Sequence, residues 1–175
     1  MHPLATCKIA LLAGIFLTAV SHAEELVEVI GRNVRQMHHK DGSISELTRS
    51  PDGKTITKKT RSANGVITMI TLYKLDSSGN PLGCKIRDGL NQELFKVSYG
   101  YHKVTGLLVE ELMFDSRVKR INKDTGKEMP VQRLAYLYDA EGSRSAPIVL
   151  NYLPGPKFED IFHIKSTALE SNPFK

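Results

Sequence analysis

Hydrophobic and polar positions alternate along several stretches of this chain. Phe95, Val97, Tyr99 and Tyr101 fall on one side of an extended run, and Lys96, Ser98 and Gly100 fall on the other. That period of two is the mark of a half-buried strand. Leu134, Tyr136 and Tyr138 repeat it. Val66 to Leu75 (VITMITLYKL) is apolar at nearly every position, which predicts a central strand covered on both faces. Thr55 to Arg61 (TITKKTR) crowds Lys58, Lys59 and Arg61 into a short segment, the pattern by which natural sheets blunt an exposed edge. Beyond residue 23 no stretch holds a 3.6-residue apolar period over three turns. The best short helical candidates are Glu24 to Ile30 and Phe158 to Leu169.

Turn signals separate these runs. They recur as Asp41-Gly42, Pro51-Asp52-Gly53, Ala63-Asn64-Gly65, Ser77-Ser78-Gly79-Asn80, Asp88-Gly89, Val104-Thr105-Gly106, Asp124-Thr125-Gly126 and Ala140-Glu141-Gly142. Gly, Asn and Asp adopt the positive φ that tight hairpin turns require. The chain is therefore expected to be mainly β: an antiparallel meander of successive hairpins over 24–153, forming a curled sheet or partial barrel. Residues 154–175 are expected to be a C-terminal cap with a short helix, or a loose tail.

The hairpins also share content. Tyr136-Leu-Tyr138-Asp139-Ala-Glu-Gly142-Ser-Arg144 has the form Y-x-Y-D-x-x-G-x-R. It resembles the tyrosine-aspartate (YD, or Rhs-type) repeats of bacterial surface and secreted proteins. Tyr73-Lys-Leu75-Asp76-Ser-Ser-Gly79-Asn80 keeps the aspartate and the turn; Tyr99-Gly-Tyr101-His102-Lys-Val-Thr-Gly106 keeps both tyrosines and replaces Asp by His. The resemblance spans Leu72 to Arg144 and implies an architecture of hairpins laid side by side. It implies no activity.

Residues 1–23 read as a cleaved export signal. Lys8 supplies the positive start, Ile9 to Val20 is an uncharged apolar run, and Ser21-His22-Ala23 places small residues at the cleavage positions. The apolar run reaches only about 18 Å as a helix, against a hydrocarbon core of about 30 Å. Cys7 precedes that run and leaves with it, so lipid anchoring through a cysteine is not expected. No second long apolar run follows, so no transmembrane segment is expected after cleavage.

Composition narrows the chemistry. The chain has 175 residues, is 41% hydrophobic and 25% charged, and carries +5, which excludes wholesale disorder and a disulfide-dense scaffold. Cys84 is the one thiol left after cleavage; burial is its expected fate, and pairing between chains is the other outcome. His38-His39 would suit metal capture, but adjacent strand residues point to opposite faces. Asp76-Ser-Ser-Gly-Asn80 has the look of a calcium loop, yet Pro81 and Arg87 stand where Gly and Glu are needed. Glu110-Glu111 is a carboxylate pair that strand alternation splits, with one expected in solvent and the other at an edge or in a salt bridge. No nucleophile, phosphate-loop or metal motif occurs; no catalytic residue, cofactor or metal is expected.

Basic residues cluster at Lys54, Lys58, Lys59 and Arg61 and again at Arg117, Lys119, Arg120 and Lys123. These form a candidate surface for an acidic envelope component, such as anionic lipid headgroups or acidic glycans, or for another envelope protein. Nucleic acid is not an expected partner of an exported chain. The sequence reading is thus a non-enzymatic exported binding or structural module, in the periplasm or at the cell surface. The rival is a carrier that holds a lipid or other hydrophobic ligand against Ile67, Met69, Phe95, Val97, Leu108, Leu112, Phe114 and Tyr136.

Overall fold

Hairpin after hairpin builds a single sheet. The computed structural model describes residues 26–152, 157–169 and 172–174. The proposed export signal lies outside them. Ten strands follow in sequence order: β1 (Leu26–Gly31), β2 (Val34–His38), β3 (Ile44–Arg49), β4 (Thr55–Arg61), β5 (Ile67–Leu75), β6 (Pro81–Asp88), β7 (Glu93–Tyr101), β8 (Leu108–Asp115), β9 (Gln132–Ala135) and β10 (Ile148–Asn151). Each pairs antiparallel with the next, so spatial order equals chain order. The sheet does not close into a barrel, and β1 and β10 are its two edges. One short helix, α1 (Phe158–Phe162), follows.

The turns form where the sequence places them. Gly42, Gly53, Gly65, Gly79, Gly106, Gly126 and Gly142 all have positive φ. In most of these turns an Asp or Asn side chain caps the loop. Asp76 Oδ1, for example, accepts from the backbone N–H of Ser78 and of Asn80, both at 2.8 Å. That use accounts for the calcium-like spacing, since the carboxylate is engaged by its own turn. Asp88-Gly89 is the exception. There Asn91 takes the left-handed conformation, with φ 68°, and glycine is needed at 89 for a different reason. A methyl group on Gly89 would stand 2.0 Å from the carbonyl oxygen of Ile67. Gly89→Ala should therefore force the neighbouring strand aside and cost about 3 kcal/mol, read as a lower urea midpoint.

One face of the sheet carries the core. Leu47, Ile56, Tyr73, Ile86, Phe95, Val97 and Met113 are buried together with Phe158 of the C-terminal segment. The opposite, outer face is crossed by ion pairs: Lys85 with Glu93, Lys96 with Glu128 and Arg133 with Glu110, at 3.0–3.1 Å.

Four expectations are corrected. The segment from Glu24 does not form a helix where it is described; Leu26–Gly31 is β1, paired with β2. Its run Leu26-Val-Glu-Val-Ile30 has one polar residue, Glu28, and favours neither period. The basic strand β4 is interior, between β3 and β5. Its cations divide between the faces: Lys58 lies opposite Leu47 on the inner face and Lys59 opposite Glu46 on the outer. β5 is central but strictly alternating, with Met69, Thr71, Tyr73 and Leu75 buried. Its outer side chains Ile70 and Leu72 are half-buried rather than covered. In β8 the inward residues are Glu111 and Met113, and Leu112 and Phe114 face outward. The expected ligand-facing set therefore loses Leu112 and Phe114.

Candidate functional site

Three tyrosines of successive hairpins meet on the inner face. Tyr73 of β5, Tyr99 of β7 and Tyr136 just past β9 are buried, with 3%, 8% and 4% exposure. Period two sends each of them inward, and their hydroxyls need partners there. The C-terminal segment supplies them. Tyr73 and Tyr99 donate to the carbonyl oxygen of Thr167, at 2.8 and 3.2 Å. Tyr136 donates to the carboxyl group of Glu111 and also lies 2.9 Å from Ser166 Oγ.

Glu111 is the hub of this latch. It is 1% exposed. Oε1 accepts from Tyr136 and from Ser166 Oγ, at 2.6 Å for the latter. Oε2 accepts from the Thr167 backbone N–H at 3.2 Å and from Thr167 Oγ1 at 2.9 Å. The backbone N–H, the carbonyl and the hydroxyl of Thr167 are thus all held by the sheet. A buried carboxyl group is tolerable only with partners of this kind.

Cys84 lies beneath. Its Sγ is 3.3 Å from Tyr99 Oη and 3.9 Å from Thr167 Oγ1. Burial pushes the thiol up to about 12, against the opposing effect of those two hydrogen bonds. Burial likewise raises Tyr73 and Tyr99 well above the ordinary phenol value. The expected burial of Cys84 is therefore found. A thiol this protonated and covered should label only slowly with a thiol reagent at neutral pH and stoichiometrically after denaturation. Fast labelling of the native chain would mean that the latch is open.

Further contacts fix the rest of the segment. Phe158 sets its ring edge-on to Phe95, centroids 5.8 Å apart. Phe174 lies under two guanidinium groups, Arg35 at 4.9 Å and Arg49 at 5.4 Å. Arg35 Nε also donates to the carbonyl of Pro173 and Asn172 Nδ2 to that of Gly79. The segment thus reaches from β7 back to β2 and β3.

Beside it lie two recesses lined by described residues. The larger, about 570 Å3, opens between the sheet and the end of α1 with the two residues after it. Its sheet wall holds a hydroxyl chain in which His39 Nε2 is 2.8 Å from Ser45 Oγ, itself 2.9 Å from Thr60 Oγ1. Its other wall is Ile161, Phe162, His163 and Ile164. The smaller, about 340 Å3, is lined by Tyr101, Tyr138 and Arg144. There the second tyrosines tie neighbouring strands: Tyr101 donates to the Pro81 carbonyl and Tyr138 to that of Leu108, at 2.7 and 2.8 Å.

The basic candidates do not form one patch. Lys58 lines the larger recess, Lys59 is on the outer face, and Lys54 and Arg61 are exposed at opposite ends of β4. Arg117, Lys119, Arg120 and Lys123 do stay together, exposed in the loop after β8. Arg117 is partly committed, to Asp115 at 2.8 Å and to the Phe95 ring at 5.1 Å. The histidine pair separates, His38 facing Glu28 at 3.7 Å and His39 joining the hydroxyl chain. Glu110 pairs with Arg133 while Glu111 is buried, so the carboxylate in the latch is the residue that the sequence reading placed wrongly. The tyrosine spacing was its one available signal. Among the described residues no three His, Cys, Asp or Glu side chains gather as a metal site requires. Among them, too, no helix is long and apolar enough to cross a membrane.

Fold and latch together define an open antiparallel meander strapped across its inner face by its own C-terminal segment. In comparisons with known proteins, no family model and no curated protein matches this chain.

Proposed function

We propose that this chain is an exported, non-enzymatic binding or structural module of a bacterial envelope. The observation that carries the reading is the occupied inner face. The polar groups at the centre of the sheet, Glu111, Tyr73, Tyr99 and Tyr136, are engaged with Ser166 and Thr167. That leaves the edges, the outer face and the exposed basic loop for partners. Export rests on the apolar run Ile9 to Val20 and the small residues after it. The loop carrying Arg117, Lys119, Arg120 and Lys123 suits an acidic surface, and such an association weakens as salt rises.

A carrier role is the second reading, and the larger recess favours it. About 570 Å3, with Ile161, Phe162 and Ile164 beside His163 on one wall and a polar sheet wall opposite, is within the range of small-molecule sites. Expression of the full chain in an exporting host, followed by fractionation and native mass spectrometry of the released protein, separates the readings. A chain recovered outside the cytoplasm with no added small-molecule mass supports the module. An added mass that disappears on denaturation supports the carrier, and retention of the uncleaved chain in the cytoplasm overturns both.

A further inference from the structure

The two edges of the sheet are unlike. β1 carries Glu28 on its exposed run and its pairing with β2 is broken by a bulge between Val29 and Gly31. Both are devices that discourage another strand from adding there. β10 has neither. From Ala146 to Tyr152 (APIVLNY) there is no charged side chain, and Ile148, Val149, Leu150 and Tyr152 are 48%, 36%, 40% and 47% exposed. Its register with β9 is unbroken.

The backbone fixes what this edge can accept. Tyr152 donates its N–H to the Val131 carbonyl, at 2.9 Å. By the alternation of an antiparallel ladder, Ile148 and Leu150 also turn their main chain to β9, and Val149 and Asn151 turn theirs outward. Pro147 faces outward as well; its missing N–H costs no bond to β9, and toward a second strand it offers its carbonyl alone.

We propose that β10 is a self-association edge, paired antiparallel with β10 of a second copy about a two-fold axis through Val149. Each Val149 then exchanges both main-chain bonds with Val149 of the other copy. Each Asn151 N–H donates to the Pro147 carbonyl across the axis. Ile148 meets Leu150 on the outer face and Val149 meets Val149 on the inner, so apolar side chains face apolar ones on both sides. An uncharged strand of this kind meets no like charge when it pairs with itself, whereas β1 would oppose its own Glu28. Main-chain bonds of this type are how added strands gain affinity, and a two-fold contact closes at two copies.

The test is the mass of the exported protein in solution across a dilution series. Wild type should be a dimer that dissociates on dilution. Val149→Lys and Val149→Glu should each be monomeric with unchanged circular dichroism, and an equimolar mixture of the two should restore the dimer, because only a two-fold axis at Val149 brings those side chains together. In the wild type, the Val149 and Asn151 amides should exchange slowly when concentrated and fast when dilute, a readout that needs no variant. A wild type that is monomeric throughout overturns the proposal. So does a mixture that stays monomeric, or an assembly that grows beyond two copies, which would point to β10 on β1.

Discussion

Replacing Glu111 with alanine is expected to lower stability by about 4 kcal/mol. The carboxyl group accepts from Tyr136, from Ser166 and twice from Thr167, at a site 1% exposed. Hydrogen bonds to such a group are worth roughly 1.5–3 kcal/mol each, and buried donors left unpaired add roughly 1–3 kcal/mol apiece. They are not additive, because the freed segment can lift and find water. For a chain of this length about 4 kcal/mol corresponds to a melting temperature lower by roughly 8–16 °C. Glu111→Gln keeps one acceptor and should fall about halfway. Cys84 supplies an independent readout. It should label faster in both variants, since Thr167 and Tyr99 cover its sulfur. A loss below about 1 kcal/mol would mean that the latch contributes little to the fold.

Phe158→Ala should cost a similar amount, roughly 3–5 kcal/mol, the usual loss for a phenylalanine removed from a core. Phe158 is 1% exposed and packs edge-on against Phe95 and at 5.1 Å against Phe162. Because it belongs to the C-terminal segment, the loss should appear first as release of that segment. Protease should then cut within 157–169 before the hairpins unfold. Combined with Glu111→Ala, the effect should be less than the sum, since the second change acts on a segment already freed. Full additivity would mean that the two contacts hold separate parts of the chain.

The meander was readable because turn chemistry is local. Turn clusters built on Gly, Asn and Asp need no knowledge of distant contacts, and glycines with positive φ stand at seven of the eight. Tyr99 and Tyr136 were placed on a buried face by alternation, which is equally local, whereas Tyr73 lay in a run read as covered on both faces. β8 was not. Leu108, Val109, Leu112, Met113 and Phe114 put apolar residues on both of its faces, and the larger set, with Leu112 and Phe114, suggested the wrong one. What reverses the choice is a carboxyl group whose donors come from Tyr136 and from residues 166 and 167, far off in sequence. The strand β4 misled similarly. Its lysines suggested an edge, but Lys59 faces Glu46 across the sheet and Lys58 lines a recess, so an interior strand accommodates them. Where it is described, the C-terminal segment has one short helix and otherwise no regular structure, and no periodicity could announce that it crosses the sheet.

The most direct test of that arrangement is hydrogen exchange at the Thr167 backbone amide. This N–H lies outside any strand or helix and has one acceptor, Glu111 Oε2. Exchange slowed to the level of the β5 to β7 amides is the result expected if the segment is part of the folded core. Exchange as fast as that of an exposed turn such as Gly53 would contradict it, and would leave the sheet's inner face open to other occupants.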